Sequence, residues 1–384
     1  MIGASAARHL AEHGASVAVV GPTAPGGRYG DGPFSSHHDE GRITRVTARD
    51  AVWATLAARS MARYGDIERR SGIHFHRGAG LVSDTPFSET SARIAQGLGA
   101  PAELVSRAAV LARFGIALPG DQDGQVVWEP GPAGLVNPRS LVAAQTALAG
   151  LAGANVVDGQ VQTIESVVGG WRVSGPWGQT TGRRLLLATG AYGTAMGGLS
   201  DNIALVRRLR TILIAELEDT TPSGAALPSL ILDNPVHPSL DGIYWVPPVR
   251  YPDGRVCLKI GGDSVPAVTS DPSGFAEWFA SEGDPNEAAA LAATLEALLP
   301  GSDLRSVTTR PCVVTYSESG LPIVDNVPLG PAGHIATVAL AGCGAAAKSC
   351  DEIGRLAAST ALGADIGAPG ADLGDIDLAL LTAP

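Results

Sequence analysis

Apolar positions along the chain follow two periods, and stretches of each kind alternate from end to end. Helical spacing predicts a helix over Ala4–Glu12, stopped by Gly14, and another over 49–70 carried by Val52, Leu56, Met61 and Ile67. Further helices are predicted over Phe87–Gly97 and Ala102–Phe114, and from Asn137-Pro138-Arg139-Ser140 to about Leu151. Residues 273–299 read as helical, with Trp278, Phe279, Leu291 and Leu295 facing inward, and a last helix runs from Gly342-Cys343-Gly344 to about Leu362. Short apolar runs or alternation predict strands over Ser16–Val20, Ile73–Val82, Ala154–Val161, Glu165–Val173 and Arg184–Thr189. Strand-like segments dominate 208–265, at Ile212–Glu216, Gly242–Pro247 and Val256–Gly261, and paired strands are expected across Val313–Val338. Residues 23–41 form a Gly/Pro/Ser/His-rich loop, and the chain after Gly367 reads as a peripheral loop. No internal repeat is present.

A chain of 384 residues exceeds what one compact core usually holds, so two lobes are expected. Segments of parallel-sheet type occur near the start, in the middle and at the end, with sheet-rich segments between them. One lobe built from separated pieces, with a second lobe inserted, fits that order.

Composition narrows the function. The formal net charge is −11, with Lys and Arg scattered, which argues against a nucleic-acid partner. No polybasic segment, bilayer-length apolar run or signal-peptide pattern points to a membrane. The four cysteines (Cys257, Cys312, Cys343 and Cys350) have neither metal-site spacing nor the density of a secreted disulfide scaffold, so a cytoplasmic location is expected. His74 and His76 share one face of their strand, but no third ligand has suitable spacing, and no metal site is assigned.

Met1-Ile2-Gly3, followed by a helix and a short apolar strand, reads as the second half of a βαβ dinucleotide-binding unit. Gly3 takes the last position of the Gly-x-Gly-x-x-Gly fingerprint. The opening strand and first two glycines are absent, which a late start would explain, and the acidic residue expected after the second strand is replaced by Gly21-Pro22. Alone, the segment fits an ordinary αβ unit equally well.

Four separated segments carry a more specific pattern. The first is Ser36-His37-His38-Asp39-Glu40-Gly41-Arg42-Ile43-Thr44-Arg45; the second is Leu258-Lys259-Ile260-Gly261, preceded by Tyr244-Trp245-Val246-Pro247. The third is Arg310-Pro311-Cys312-Val313-Val314-Thr315-Tyr316, and the fourth is Gly342-Cys343-Gly344-Ala345-Ala346-Ala347-Lys348. In this order they resemble the D-amino acid oxidase superfamily of flavoproteins, and more narrowly the monomeric sarcosine oxidase and N-methyltryptophan oxidase group. Taken singly, Arg42 and Arg45 fit a solvated turn, Lys259 an edge-strand lysine reaching water, and Cys312 a small core residue.

The resemblance implies an α/β fold with an α+β second lobe: a Rossmann-like FAD-binding domain from 1–82, 137–207 and 309–384, and an inserted mixed-sheet substrate domain from 83–136 and 208–308. It places Gly3, Ser36, His37, Arg42, Val161, Thr189, Gly190, Gly342, Gly344 and Lys348 against FAD, with Cys312 as its covalent attachment. It gives Arg45 and Lys348 to a substrate carboxylate, Arg42 to the neighbourhood of the isoalloxazine, Lys259 to oxygen reduction and Tyr244 to the pocket wall. A guanidinium fork suits a carboxylate, and a fixed cation suits a reaction that makes anionic oxygen. The fourth segment departs from the family pattern, because alanines (Ala345, Ala346 and Ala347) replace its histidine, second glycine and phenylalanine, so a larger pocket and a substrate bulkier than sarcosine are expected.

The implied activity is oxidation of an amino acid or related carboxylate-bearing amine, secondary or cyclic, with hydride passing to the flavin and O2 returning as H2O2. A biosynthetic flavin dehydrogenase or desaturase, or a non-catalytic flavin-binding remnant, would keep the same fold. The partners implied are a small-molecule amine and O2; the sequence does not set the oligomeric state, and a monomer is compatible with it.

Overall fold

The computed structural model describes residues 1–22, 36–193, 203–217, 226–233, 236–264, 268–269, 274–302, 304–330, 333–363 and 381–382. Residues 23–35 of the expected loop and 364–380 of the expected tail lie outside them. Among the described residues the helices are α1 (Ile2–Glu12), α2 (Ala51–Ser71), α3 (Ser88–Gly97), α4 (Arg107–Phe114), α5 (Pro138–Leu151), α6 (Phe275–Ala280), α7 (Pro285–Leu298) and α8 (Ala346–Leu362).

Helices α1, α2, α5 and α8 pack into one body. Their starts follow from local chemistry. The Asp50 carboxylate accepts from the amides of Val52 and Trp53, and Asn137 accepts from Ser140 just ahead of Pro138. What holds the four together is ionic as well as apolar. Asp351 and Glu352 on α8 are fully buried. Asp351 receives Arg8 of α1 at 2.7 Å, Gln145 of α5 at 2.9 Å and Arg63 of α2 at 2.5 Å, while Glu352 receives Arg63 at 2.6 Å. Burial opposes the charge on Asp351, but His9, Arg63 and Arg8 outweigh it and hold the carboxyl well below the usual carboxylate range. Gly354 of α8 completes the contact, because a Cβ there would lie 2.6 Å from Ser5 Cβ and 2.7 Å from the Ala6 amide.

Beside these helices lie two small sheets. Ala18–Gly21 pairs in parallel with Asn155–Asp158. Leu186–Leu187 pairs in parallel with His334–Leu340, which pairs antiparallel with Ile323–Leu329. The parallel pairings are those a βαβ unit needs, and α1 joins the two sheets: Gly3 comes within contact distance of Ala188, just past the second.

The largest sheet has nine strands and is mixed. Its long members are Val206–Leu217, Leu240–Arg250, Val256–Ser264 and Leu304–Tyr316, all antiparallel to their partners here. It continues through Ser229–Leu232 and Leu81–Asp84, paired in parallel, to Gln125–Glu129 and Glu103–Ser106. Alternation sorts the residues by face. Leu213, Ala215, Leu258, Ile260, Trp245, Leu230 and Val82 pack in one core with Leu291, Leu295 and Leu298 of α7. The register puts Lys259, Gly261, Tyr244, Cys312 and Glu129 on the opposite face.

Several predicted boundaries change. Ile73–Val82 is not one strand: His76–Arg77 and Leu81–Asp84 belong to different sheets, separated by Gly80, whose φ of +78° turns the chain. Ala102–Phe114 divides into the Glu103–Ser106 strand and α4, whose start Ser106 caps. Glu165–Val173 divides into a hairpin of Thr163–Val167 and Gly170–Gly175 around Gly169. Residues 273–299 hold α6 and α7, with Asp284 capping the second.

Gly354→Ala should cost about 1–3 kcal/mol through overpacking, despite the gain in helix propensity. Gly65→Ala on α2, where no atom lies within 4 Å of the new Cβ, should instead be neutral or stabilising by up to about 1 kcal/mol. Urea midpoints of both variants decide this; a matched response would show that the α1–α8 contact is not tight.

Candidate active site

The polar face of the nine-stranded sheet is covered by the chain segment 36–47, and two clusters of buried charge form between them. The segment is anchored at both ends. Asn137, at the start of α5, donates to Glu40 at 2.9 Å, and Arg42–Thr44 forms a short strand with Gly134–Val136. At its middle, Gly41 presses on Val246, since a Cβ there would come 2.6 Å from Val246 Cγ1.

The first cluster centres on Asp39. Lys259 Nζ donates to Asp39 at 2.6 Å and to the Gly41 carbonyl. Arg42 also pairs with Asp39, and donates to the Ser36 carbonyl at 2.9 Å. The Tyr251 hydroxyl reaches the second Asp39 oxygen at 3.4 Å. Lys259 is only 1 % exposed. Burial first, then the Arg42 guanidinium, pushes its pKa well below the ordinary lysine value, while Cys312, two strands away across Val206–Leu217, acts in the opposite sense. Tyr244 stands beside it, with the ammonium 5.9 Å from the ring centroid. The ring occupies space left by Gly261, where a Cβ would meet the Tyr244 hydroxyl at 2.6 Å.

The second cluster joins Arg45, Glu129 and Lys348. Glu129 is buried and accepts from the Val46 amide at 2.8 Å, the Thr47 amide at 2.9 Å and the Thr47 hydroxyl at 2.7 Å. This fixes the turn that presents Arg45, whose guanidinium donates to the Thr47 carbonyl. Burial lowers the Arg45 pKa, opposed by Glu129 and Asp233. Lys348, in the first turn of α8, donates to the Arg45 carbonyl at 3.3 Å. Burial and Arg45 drive its pKa well below the ordinary value, with Glu129 opposing. Two basic groups are thus held close together in a buried place, where an anionic ligand favours a charge on both.

His37 and His38 stack edge to face, 4.6 Å apart. Burial, helped by the nearby Arg139, keeps both rings neutral, with pKa values lowered to about 2 and about 4 respectively. At the head of α8 the backbone turns through left-handed conformations at Ala341 (φ 58°), Cys343 (φ 45°) and Gly344 (φ 73°). Such values at two non-glycine residues mark a turn held against strain. The Cys343 amide donates to the Thr315 carbonyl at 2.8 Å, tying this turn to the strand that carries Cys312.

The fit to a flavin dinucleotide rests on several features. Neither α1 nor α8 has a capping side chain at its N-terminus. Gly190 and Gly344 face open space. Thr189 carries a buried hydroxyl with no hydrogen-bond partner among the described residues. Uncapped helix starts and open glycine turns suit phosphate and the electron-rich edge of a ring system.

The structure therefore brings Arg42, Lys259, Tyr244 and Cys312 together, and separately Arg45 with Lys348. Ser36 and His37 lie beside Arg42, and Gly3 lies against the 186–190 turn. Val161 occupies a half-buried link after the Asn155–Asp158 strand. Sequence reading missed Glu129, Tyr251 and the role of Asp39. Asp39 lay inside the quoted motif, whereas Glu129 ends a short strand far from it.

The chain matches the family DAO, FAD dependent oxidoreductase, over residues 1–360. No curated protein matches it in sequence. Among solved structures it is similar to NikD, described as an unusual amino acid oxidase essential for nikkomycin biosynthesis, in its open form. That match has 20% identity and a TM-score of 0.74, covering 100% of this chain and 94% of NikD. It is also similar to glycine oxidase from Geobacillus kaustophilus (18% identity, TM-score 0.70, 100% and 95% covered). Iminodiacetate oxidase from Chelativorans sp. BNC1 is a third (19%, 0.67, 100% and 96%).

Lys348→Met should stabilise the protein near neutral pH, because a buried amine with a lowered pKa favours the unfolded state, which binds the proton. The gain should shrink as pH rises and vanish above about pH 10, where the unfolded lysine is also neutral. Denaturation midpoints across pH check this; a pH-independent difference would contradict the burial account.

Proposed function

This chain belongs to the DAO family of FAD-dependent oxidoreductases, and from that premise we propose that it oxidises an amino acid or a related carboxylate-bearing amine, with a secondary or cyclic amine favoured. The observation that carries the reading is the Arg45–Lys348 pair, two basic groups held together in a buried place beside Glu129. A substrate carboxylate adds negative charge there that favours a proton on Lys348, and the guanidinium offers it a two-point contact.

Bound FAD supplies acceptance of a hydride equivalent from the substrate C–H and delivery of two electrons to O2, giving H2O2. This chain's residues do the rest. Arg45 and Lys348 orient the carboxylate, which fixes the amine-bearing carbon in one place. Glu129 holds the Arg45 turn rigid. Tyr244 closes the wall of the pocket, and Ala345, Ala346 and Ala347 leave room for a substrate bulkier than sarcosine. Lys259 and Arg42 place positive charge where oxygen becomes an anion. Gly3, Thr189, Gly190, Gly342, Gly344, Ser36, His37 and Val161 would line the cofactor.

The same reading takes Cys312 as the covalent anchor of the flavin. Its side chain is partly accessible, lies on the same sheet face as Lys259 and influences the Lys259 charge. The proposal keeps a cofactor lobe (1–82, 137–207, 309–384) and a substrate lobe (83–136, 208–308); 208–308 packs in the core under the nine-stranded sheet, whereas Ala92, Ala95, Ala102 and Val127 of 83–136 pack with α1, α2, α5 and α8. Among the described residues no helix is long and apolar enough to cross a membrane; a cytoplasmic location is part of the proposal.

Purified protein should consume O2 and release an equal amount of H2O2 with N-alkyl or cyclic amino acids, and not with the same amines lacking the carboxylate. Arg45→Met should raise KM about 10- to 100-fold. Equal turnover of the decarboxylated amines would overturn the assignment. After denaturation the polypeptide should remain yellow and carry the mass of FAD, and Cys312→Ser should lose both; free flavin from the unaltered protein would remove the tether alone.

A further inference from the structure

Asp39 is the only carboxylate among the described residues that contacts Lys259. It is 2 % exposed, and every group it meets is a donor. One oxygen takes Lys259 at 2.6 Å together with Arg42; the other takes the Glu40 amide at 2.8 Å and the Tyr251 hydroxyl at 3.4 Å. The turn that carries it is pressed at Gly41 against the Val246 side chain, and Val246 is the direct cross-strand partner of Lys259, so the turn is held close above that lysine. The other charged or titratable groups facing Lys259 are Arg42 from the same turn, Cys312 from Leu304–Tyr316, and Tyr244 and Tyr251 from the strand Leu240–Arg250 and its end. With Lys259, Arg42 and Asp39 all ionised, the cluster keeps one net positive charge. With Asp39 neutral, burial and Arg42 both act to discharge Lys259, and nothing of opposite charge touches it.

Resting on the flavin-oxidase reading above, we propose that Asp39 is a positioning residue for Lys259, holding its ammonium charged and in one place and thereby setting how fast the reduced cofactor reacts with oxygen. Reduced flavin anion, O2 and one proton give oxidised flavin and H2O2. Oxygen becomes an anion on the first electron, so a charged Lys259 speeds the reaction and a neutral one does not.

The test needs no amine substrate. The protein as purified is compared with Asp39→Asn, Asp39→Glu, Lys259→Met and the Asp39→Asn/Lys259→Met pair. The first measurement is the urea midpoint as a function of pH. Asp39→Asn removes the anion that opposes burial and Arg42, so the folded Lys259 loses its proton still more readily than in the parent. The midpoint should then rise with pH more steeply than in the parent, and the extra slope should disappear in the double variant. Equal slopes in the parent and Asp39→Asn overturn the proposal. If Asp39→Asn fails to fold, the double variant should fold, since the unpaired cation is gone; a double variant that also fails shows that Asp39 serves something else.

The second measurement mixes dithionite-reduced protein with oxygenated buffer and follows the flavin absorbance. Asp39→Asn should react at least about 10-fold more slowly above neutral pH and recover as pH falls, with Asp39→Glu intermediate. A pH profile that superimposes on the parent overturns the proposal even where the amine assay succeeds. An Asp39 effect without any amine oxidation would leave this inference standing and remove the substrate reading instead.

Discussion

Buried positive charge is the constraint around which this molecule is arranged. Lys259 and Lys348 are almost wholly enclosed, and an ammonium in such a place discharges unless an anion or a full set of acceptors meets it. Asp39 and Glu129 oppose that discharge on the two sides of the site. Each also accepts backbone amides, from Glu40 in one case and from Val46 and Thr47 in the other. The same carboxylates therefore compensate charge and fix the segment 36–47 that delivers Arg42 and Arg45. Position and electrostatics come from one set of bonds.

The helices serve the same end from a distance. Lys348 and the strained turn at 341–344 both ride on the start of α8, and α8 is located by Asp351, Glu352 and the close approach at Gly354. A shift of α8 would move Lys348 and the 341–344 turn together. The partners of Asp351 come from three other helices, so both features share one rigid support.

Much of this was legible in the chain because the informative residues sit in short, ordered runs. Asn137-Pro138 announced α5, and the four segments around Arg45, Lys259, Cys312 and Lys348 were expected to converge on one flavin. What stayed hidden depends on distant partners. Glu129 is an isolated acid at the end of a five-residue strand, and only the pairing of that strand with Leu81–Asp84 turns it toward Arg45. Leu104 and Val105 look helical in their local context, yet the open edge of Gln125–Glu129 draws them into the sheet. Glycines at 80 and 169 break apparent single strands because their left-handed φ redirects the backbone, which hydrophobic alternation alone does not register.

The most direct test of the charged pocket is a titration of the oxidised protein with a small carboxylic acid that cannot be oxidised, read as a change in the flavin visible spectrum at several pH values. The account predicts saturable binding that weakens as pH rises, because seating the anion draws a proton onto Lys348, and no comparable effect from the corresponding amide. Indistinguishable responses to acid and amide, or an affinity for the acid that ignores pH, would contradict it.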